Sequence, residues 1–227
     1  MPTYHIGCLG YHYRHWRGVF YPEKLPMQCW FEFYSQHFRT LELNVTFYRF
    51  PQLSFLENWY AQSPADFQFA VKAPKLLTHY KQFHGVGPQL GDFYDTLARG
   101  LREKLGPVLF QLPPRLAYDA ERLARVLACL DPAFVNVLEF RHPSWWRPEV
   151  YAELQQRGVV FCGQSHPLLP GTVVATAPTL YYRFHGVPDL YASPYPAELL
   201  QCYASGVFPM GEARDDPRIF LVEPEER

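Results

Sequence analysis

Five apolar, strand-like runs in this 227-residue chain each end in charged or amide side chains. The run over 40–46 carries Glu42 and Asn44, that over 67–72 ends at Lys72, and that over 108–112 carries Gln111. The run over 135–140 carries Glu139 and leads into Arg141 and His142, and that over 180–184 carries Arg183 and leads into His185. A buried charge without a partner costs several kcal/mol, roughly. Five separate strands do not each carry that cost by chance. One shared polar pocket at the carboxyl ends of a parallel sheet, where α/β folds place their ligands, accounts for all five.

Strand and helix signals alternate along the chain. Strands are predicted over 4–9, 40–46, 67–72, 108–112, 135–140, 159–162, 180–184 and 218–222. Helical spacing appears between them: Trp30, Phe33, Tyr34 and His37 after Pro26; Phe55, Leu56 and Trp59 after Pro51; Leu90, Phe93, Leu97 and Leu101, with Gly106 as the expected stop. Asp119 can cap a helix bearing Leu123, Val126, Leu127 and Leu130, and Pro148 and Gly158 bracket one with Val150 and Leu154. A further helix is expected near Ala197 to Ala204. Residues 166–178 lack helical spacing and read as a loop. Strands separated by helices imply right-handed crossovers and a parallel sheet. About eight in series favour a closed (β/α)8, TIM-barrel-like α/β fold in one domain over 1–227, with no room for a final helix after residue 222.

Composition narrows the function classes. The formal net charge is −1 and no basic stripe is visible, so no nucleic-acid partner is expected. Five cysteines lie far apart without a Cys-x-x-Cys pair, which predicts reduced thiols and a cytoplasmic protein. The amino terminus opens straight into a strand, and no apolar run reaches membrane length, so neither a leader nor a membrane partner is expected.

Side-chain alternation sharpens the pocket. Thr40, Glu42, Asn44 and Thr46 share one face of their strand, against Leu41, Leu43 and Val45. Val135, Val137, Glu139 and Arg141 share parity, with the valines expected deep. Tyr181, Arg183 and His185 share a face. Ala70 aligns with Lys72 and Leu109 with Gln111. His142 falls on the opposite parity and is expected in a loop.

Each candidate has a catalytic and a structural reading. Glu42 and Glu139 can form an acid/base pair, or be neutralised by Arg141, Arg183 or Lys72 in an ion network. Lys72 can act as an imine-forming nucleophile or an anion contact, but with glutamates nearby a plain charged partner is favoured. Arg141 and Arg183 suit a carboxylate or phosphate, or the same glutamates. His79, His142 and His185 lack tight metal-ligand spacing, and the cations in the pocket repel a metal. No metal or other cofactor is therefore expected, with His185 and Glu139 the ligands if one were bound. Trp16 can line the mouth and stack on a sugar or base. Cys8 and Cys162 read as small core residues.

Several segments together resemble one family. They are Ile-Gly-Cys-Leu-Gly-Tyr with Trp16, Glu-Leu-Asn-Val-Thr-Phe-Tyr, Phe-Ala-Val-Lys with Thr78 and His79, Phe-Gln-Leu-Pro-Pro, Glu-Phe-Arg-His-Pro-Ser-Trp, and Phe-His-Gly at 184–186. Over about residues 4–186 the chain resembles the YecE-like family, the domain of unknown function numbered seventy-two. The resemblance implies a TIM-barrel-like fold and supplies no reaction. By motif position it points to Glu42, Asn44, Lys72, His79, Gln111, Glu139, Arg141 and His185. The chain departs from the family pattern at Leu9, where serine is usual, and at Gln164, where aspartate is common. It departs again at Phe220-Leu221-Val222-Glu223, where Phe-Asn-Asn is expected. Altered substrate choice, a shortened sequence or lost catalysis are the expected consequences.

The combined expectation is a metal-independent enzyme or binder acting on a small anionic or sugar-like molecule. Glu139 would serve as general acid or base, with Glu42 and His185 assisting. Lys72, Arg141 and Arg183 would hold the anionic group. Asn44 and Gln111 would orient the ligand, and His79 and Trp16 would border it. A non-catalytic binding module and a divalent-metal hydrolase or isomerase are the alternatives. The oligomeric state is left open.

Overall fold

The alternating pattern produces parallel strands joined by helical crossovers. The computed structural model describes residues 3–190 and 218–223. Seven strands follow the chain: β1 (Tyr4–Cys8), β2 (Thr40–Leu43), β3 (Gln68–Lys72), β4 (Leu105–Gln111), β5 (Asn136–Glu139), β6 (Val160–Ser165) and β7 (Thr179–Phe184). The helices are α1 (Trp30–His37), α2 (Val45–Tyr48), α3 (Leu53–Gln62), α4 (Gly87–Leu101), α5 (Ala120–Cys129) and α6 (Pro148–Arg157). The seven strands lie side by side in sequence order, every neighbour parallel, in a curled sheet. An eighth, β8 (Arg218–Glu223), pairs in parallel with both β7 and β1. The helix expected near Ala197 to Ala204 lies outside the described residues, as do the side chains of the Phe220–Glu223 departure.

Alternation sorts the apolar side chains into two cores. Leu41 and Leu43 of β2, Phe69 and Val71 of β3, Val108 and Phe110 of β4, and Leu138 of β5 face the helices and join the larger cluster. Leu9, Ala70, Leu109, Val137, Val160, Cys162 and Tyr181 face inward and form a smaller one. The inner cluster is the floor beneath the polar residues. In register, Leu109 pairs with Val137, and one pleat further Gln111 pairs with Glu139.

The elements end where local chemistry ends them. Asp119 caps α5, its side chain accepting from the Arg122 N–H at 2.7 Å. Pro148 opens α6 and Gly158 closes it with φ 64°. Other expectations are corrected. Gly106 does not stop α4; the helix ends at Leu101, Arg102 turns the chain with φ 49°, and Gly106 lies inside β4. Strand β2 stops at Leu43, so Thr46 sits on the helical turn α2 instead of extending the strand. Val135 precedes β5 and is 44% exposed, not deep, and Phe55 is 52% exposed, not on the buried face of α3.

The β1–β2 junction is tight. Gly7 pairs with Thr40, and a Cβ on Gly7 would lie 2.2 Å from the Thr40 carbonyl oxygen. Beside it the Tyr34 hydroxyl of α1 donates to Thr40 O at 2.8 Å and accepts from Cys8 N at 2.9 Å, bridging the two strands. Among the described residues Cys8, Cys29, Cys129 and Cys162 form no disulfide. Among the described residues no helix is long and apolar enough to cross a membrane. Gly7→Ala is expected to lower the unfolding free energy by about 1–3 kcal/mol, because the clash is with backbone and cannot be relieved by a rotamer change. Urea denaturation checks this, and an unchanged midpoint would contradict the close approach.

Candidate functional site

The guanidinium of Arg183, near the carboxyl end of β7, is the hub of the polar cluster. It reaches Glu42 on β2 through two parallel bonds, Nη2 to Oε1 at 2.9 Å and Nε to Oε2 at 3.1 Å. Its Nη1 donates to Glu139 Oε2 on β5 at 2.6 Å. Tyr181, one pleat earlier on β7, donates its hydroxyl to Glu42 Oε2 at 2.6 Å. Arg183 is 2% exposed, Glu42 1% and Glu139 0%. One cation therefore bridges two buried carboxylates on strands that are not its neighbours. Burial pulls the guanidinium pKa down, but Glu139 and Glu42 outweigh it and hold the group charged. Burial pushes the Glu139 carboxyl up, yet Arg141, Arg183 and the His185 contact together hold it well below the usual carboxylate range.

Arg141, just past β5, extends the network. Its Nε lies 2.5 Å from Glu139 Oε1 but off the hydrogen-bond direction, so this is a charge contact. Its Nη2 donates to His185 Nε2 at 2.8 Å. Arginine has no acceptor, so Nε2 must accept and the ring proton belongs on Nδ1. Glu139 Oε1 approaches the same Nε2 at 3.1 Å, and only a proton on that nitrogen would turn this approach into a donated bond. Burial drives the His185 pKa down to about 3, so the ring is neutral near pH 7.

Lys72 stands apart from these pairs. It is 9% exposed at the carboxyl end of β3, and its Nζ lies 4.4 Å from the centroid of the Phe47 ring. Among the described residues no hydrogen bond or ion pair reaches that amine; both carboxylates nearby are held by the two arginines. This corrects the expectation that Lys72 is a plain partner of the glutamates. The other buried lysine shows the contrast. Lys104, 6% exposed, donates to Tyr60 O, Ser63 O and Ser63 Oγ at 2.7–2.9 Å. For Lys72, burial and then the Arg183 charge lower the pKa to about 8, against the raising effect of Glu139 and Glu42. His79 sits on a π-helical turn, Leu76–Tyr80, its ring edge-on to Phe47 at 5.0 Å and its Nδ1 2.8 Å from Thr78 Oγ1. Burial, then the Lys72 charge, lower its pKa to about 4.

The remaining expected residues divide. Asn44 binds back to β1, donating to Leu9 O at 3.0 Å, and is half-buried at the rim. Gln111 ends β4, half-buried, paired in register with Glu139. Trp16 is not brought to the polar cluster. It packs among Tyr13, Phe20 and Tyr21 against the outer core. His142 is in a loop, where its Nδ1 caps the turn Pro143–Trp145 through Ser144. Cys162 is a buried residue of the inner core.

Three participants escaped the sequence reading. Tyr181 shares the parity of Arg183, which was the available signal. Phe47 lies just past the predicted strand, on the turn α2, and only its place in the Glu-Leu-Asn-Val-Thr-Phe-Tyr segment marked it. Gln164, a departure from the family pattern, is fully buried beside Arg183, donating Nε2 to Phe140 O at 2.7 Å, while its Oε1 accepts from no described group. A cavity of about 510 Å³ opens between the β1 and β2 ends and α3. Tyr11, Tyr48, Phe55 and Trp59 give it aromatic walls, and it reaches the polar cluster at Glu42 and Asn44. Among the described residues no group of three His, Cys, Asp or Glu side chains is placed to hold a metal ion.

Two outcomes are expected. Arg183→Met leaves Glu42 buried without a cation and Glu139 with Arg141 alone, and should cost roughly 3–5 kcal/mol of unfolding free energy. A loss under 1 kcal/mol in denaturant titration would contradict the hub. His185 ionises more readily in the unfolded chain, near pH 6.5, than in the fold, near pH 3. The unfolded state therefore binds more protons between those values, and stability falls as pH drops through that window. Between pH 7 and 5 the wild type should lose on the order of 2 kcal/mol more than His185→Gln. Equal losses in the two proteins would contradict a neutral, buried imidazole.

Comparison with known proteins places this geometry. The chain is 31% identical to the UPF0759 protein YunF of Bacillus subtilis over 140 residues, 59% of this chain and 50% of that protein. It is 25% identical to the UPF0759 protein YecE of Escherichia coli over 185 residues, 70% of this chain and 68% of YecE. The match thus spans half the length of the first relative. A separate short match, 73% identical over 30 residues, is to a leucyl/phenylalanyl-tRNA–protein transferase of Maricaulis maris, and covers 13% of this chain and 14% of that enzyme. The fold is similar to the crystal structure of a DUF72 family protein from Thermotoga maritima, with TM-score 0.81 and 24% identity, covering 97% of this chain and 92% of that one. The family model described as "Protein of unknown function DUF72" matches residues 5–226, and the chain belongs to that family.

Proposed function

We propose that this chain binds a small anionic molecule, such as a sugar acid or a phosphorylated or carboxylated metabolite, at the carboxyl-end rim of the sheet. In this reading Lys72 meets the ligand's negative charge. One observation carries it: among the described residues the buried cluster holds three cationic side chains, Lys72, Arg141 and Arg183, against two carboxylates, Glu42 and Glu139, and both carboxylates are matched to the arginines. Among these residues the surplus positive charge resides on Lys72. An unmatched buried ammonium is costly, and an anion placed against it removes that cost. Gln111, His79 and Asn44 are half-buried, and the Arg141 side chain is 9% exposed. Glu139, held ionised, can accept a proton near neutral pH but has none to give, which favours its role as base over acid.

We infer further that the curled sheet closes into a (β/α)8 barrel. The parallel register of β8 against both β7 and β1 supports this. Four free thiols among the described cysteines support a reducing, cytoplasmic setting.

Thermal unfolding with phosphate, sulfate and gluconate tests the site. The wild type should rise by roughly 5–10 °C at about a hundredfold excess over Kd with at least one of these anions. Lys72→Met should show no rise, while folding at least as stably as the wild type because it removes an unmatched buried charge. Equal shifts in both proteins, or none in either, would overturn the reading.

A further inference from the structure

We propose that Lys72 is an imine-forming amine, and that the ligand of this site is a small anion bearing an aldehyde or ketone. The inference rests on the anion site just described and names the substrate class it takes. Four structural observations point to it. Lys72 is nine-tenths buried as a residue, yet among the described residues its nitrogen meets no hydrogen-bond acceptor and no ion-pair partner. It rests on an aromatic face, Phe47, which holds it in position without using its lone pair. The carboxylates that would otherwise fix it as an ammonium, Glu42 and Glu139, are bound by Arg183 and Arg141. Lys104 shows what a structural buried lysine looks like in the same protein: three acceptors within 2.9 Å.

The electrostatics agree with the geometry. Burial and the adjacent Arg183 make an appreciable fraction of Lys72 neutral near pH 8, and a neutral amine is the nucleophile. The charged or titratable groups influencing it are Arg183 on β7, Glu139 and Arg141 at β5, Glu42 on β2 and His79 on the π-helical turn. The two arginines lower its proton affinity and the two glutamates raise it. Arg141, its side chain 9% exposed, would meet a carboxylate or phosphate on a molecule whose carbonyl carbon faces Nζ.

The step balances without any further reactant. The Nζ lone pair attacks the carbonyl carbon, and the carbon–oxygen π pair moves to oxygen. A proton passes from nitrogen to that oxygen, giving a carbinolamine. The nitrogen lone pair then forms the carbon–nitrogen double bond as the carbon–oxygen bond breaks. Both amine protons leave with the oxygen as water, and nothing is oxidised or reduced.

Reductive trapping tests the proposal. The full-length protein is incubated with glyoxylate and cyanoborohydride, which delivers hydride to the imine, and the modified lysines are mapped by peptide mass spectrometry. Lys72 should be labelled at least about tenfold faster at pH 8 than Lys75 or Lys81, because an appreciable fraction of the Lys72 amine is neutral there. Its labelling rate should rise with a midpoint near pH 8, and inorganic phosphate should slow it. Lys72→Arg should abolish the fast adduct, because a guanidinium forms no imine under these conditions. No preference for Lys72 over the other lysines would overturn the imine. If phosphate still raised the melting temperature in that case, the anion site would stand and only the carbonyl chemistry would fall.

Discussion

The buried pairing of Arg183 with Glu42 and Glu139 is the constraint on which the rest of the site depends. The two carboxylates sit on β2 and β5, and neither strand is hydrogen-bonded to β7. Only a curled sheet brings these strand ends within the reach of one side chain. The arrangement therefore couples the shape of the sheet to the chemistry of its rim. Loss of curvature would strand three charges in an apolar interior. Bidentate geometry toward Glu42 also fixes the orientation of the guanidinium plane, which a lysine could not do.

Once Arg183 has committed both glutamates, the character of the other groups follows. Arg141 can reach only the remaining face of Glu139 and the imidazole of His185. That imidazole, buried among arginines, stays neutral. Among the described residues Lys72 is left with an aromatic ring in place of a carboxylate. Gln164 bears on the same balance. A carboxylate at that inward-facing position, beside Arg183, would offset the charge of Lys72; an amide does not. Leu9, likewise inward, supplies apolar floor and offers no hydroxyl. These two positions make the pocket more apolar and more positive than a serine and an aspartate would.

The sequence was most legible where periodicity and burial act together. Strand order, parallel direction and the inward set of Glu42, Lys72, Gln111, Glu139 and Arg183 all follow from a two-residue repeat combined with the cost of burying charge. Caps such as Asp119 and stops such as Gly158 were equally legible, because their chemistry is confined to one turn. Boundaries were less so. Leu43 ends β2 although Val45 and Thr46 are good strand formers, because the chain turns there and the Thr46 hydroxyl, with one proton to donate, lies within reach of both Lys72 O and Leu43 O. Trp16 looked like a mouth residue because a tryptophan after a first strand fits either a ligand platform or a packed loop, and only its aromatic neighbours decide between them.

By itself the sequence determined which side chains share a face and that several charges must share one enclosure, because backbone alternation and desolvation are local or pairwise rules. It could not determine who pairs with whom. Three cations and two carboxylates admit several matchings of similar local merit, and the choice depends on distances across the interior of the sheet. Tertiary structure made that choice by placing Arg183 between Glu42 and Glu139, Arg141 beside His185, and Phe47 beneath Lys72. Those placements depend on strand register and curvature summed over the sheet, which no stretch of the chain encodes alone.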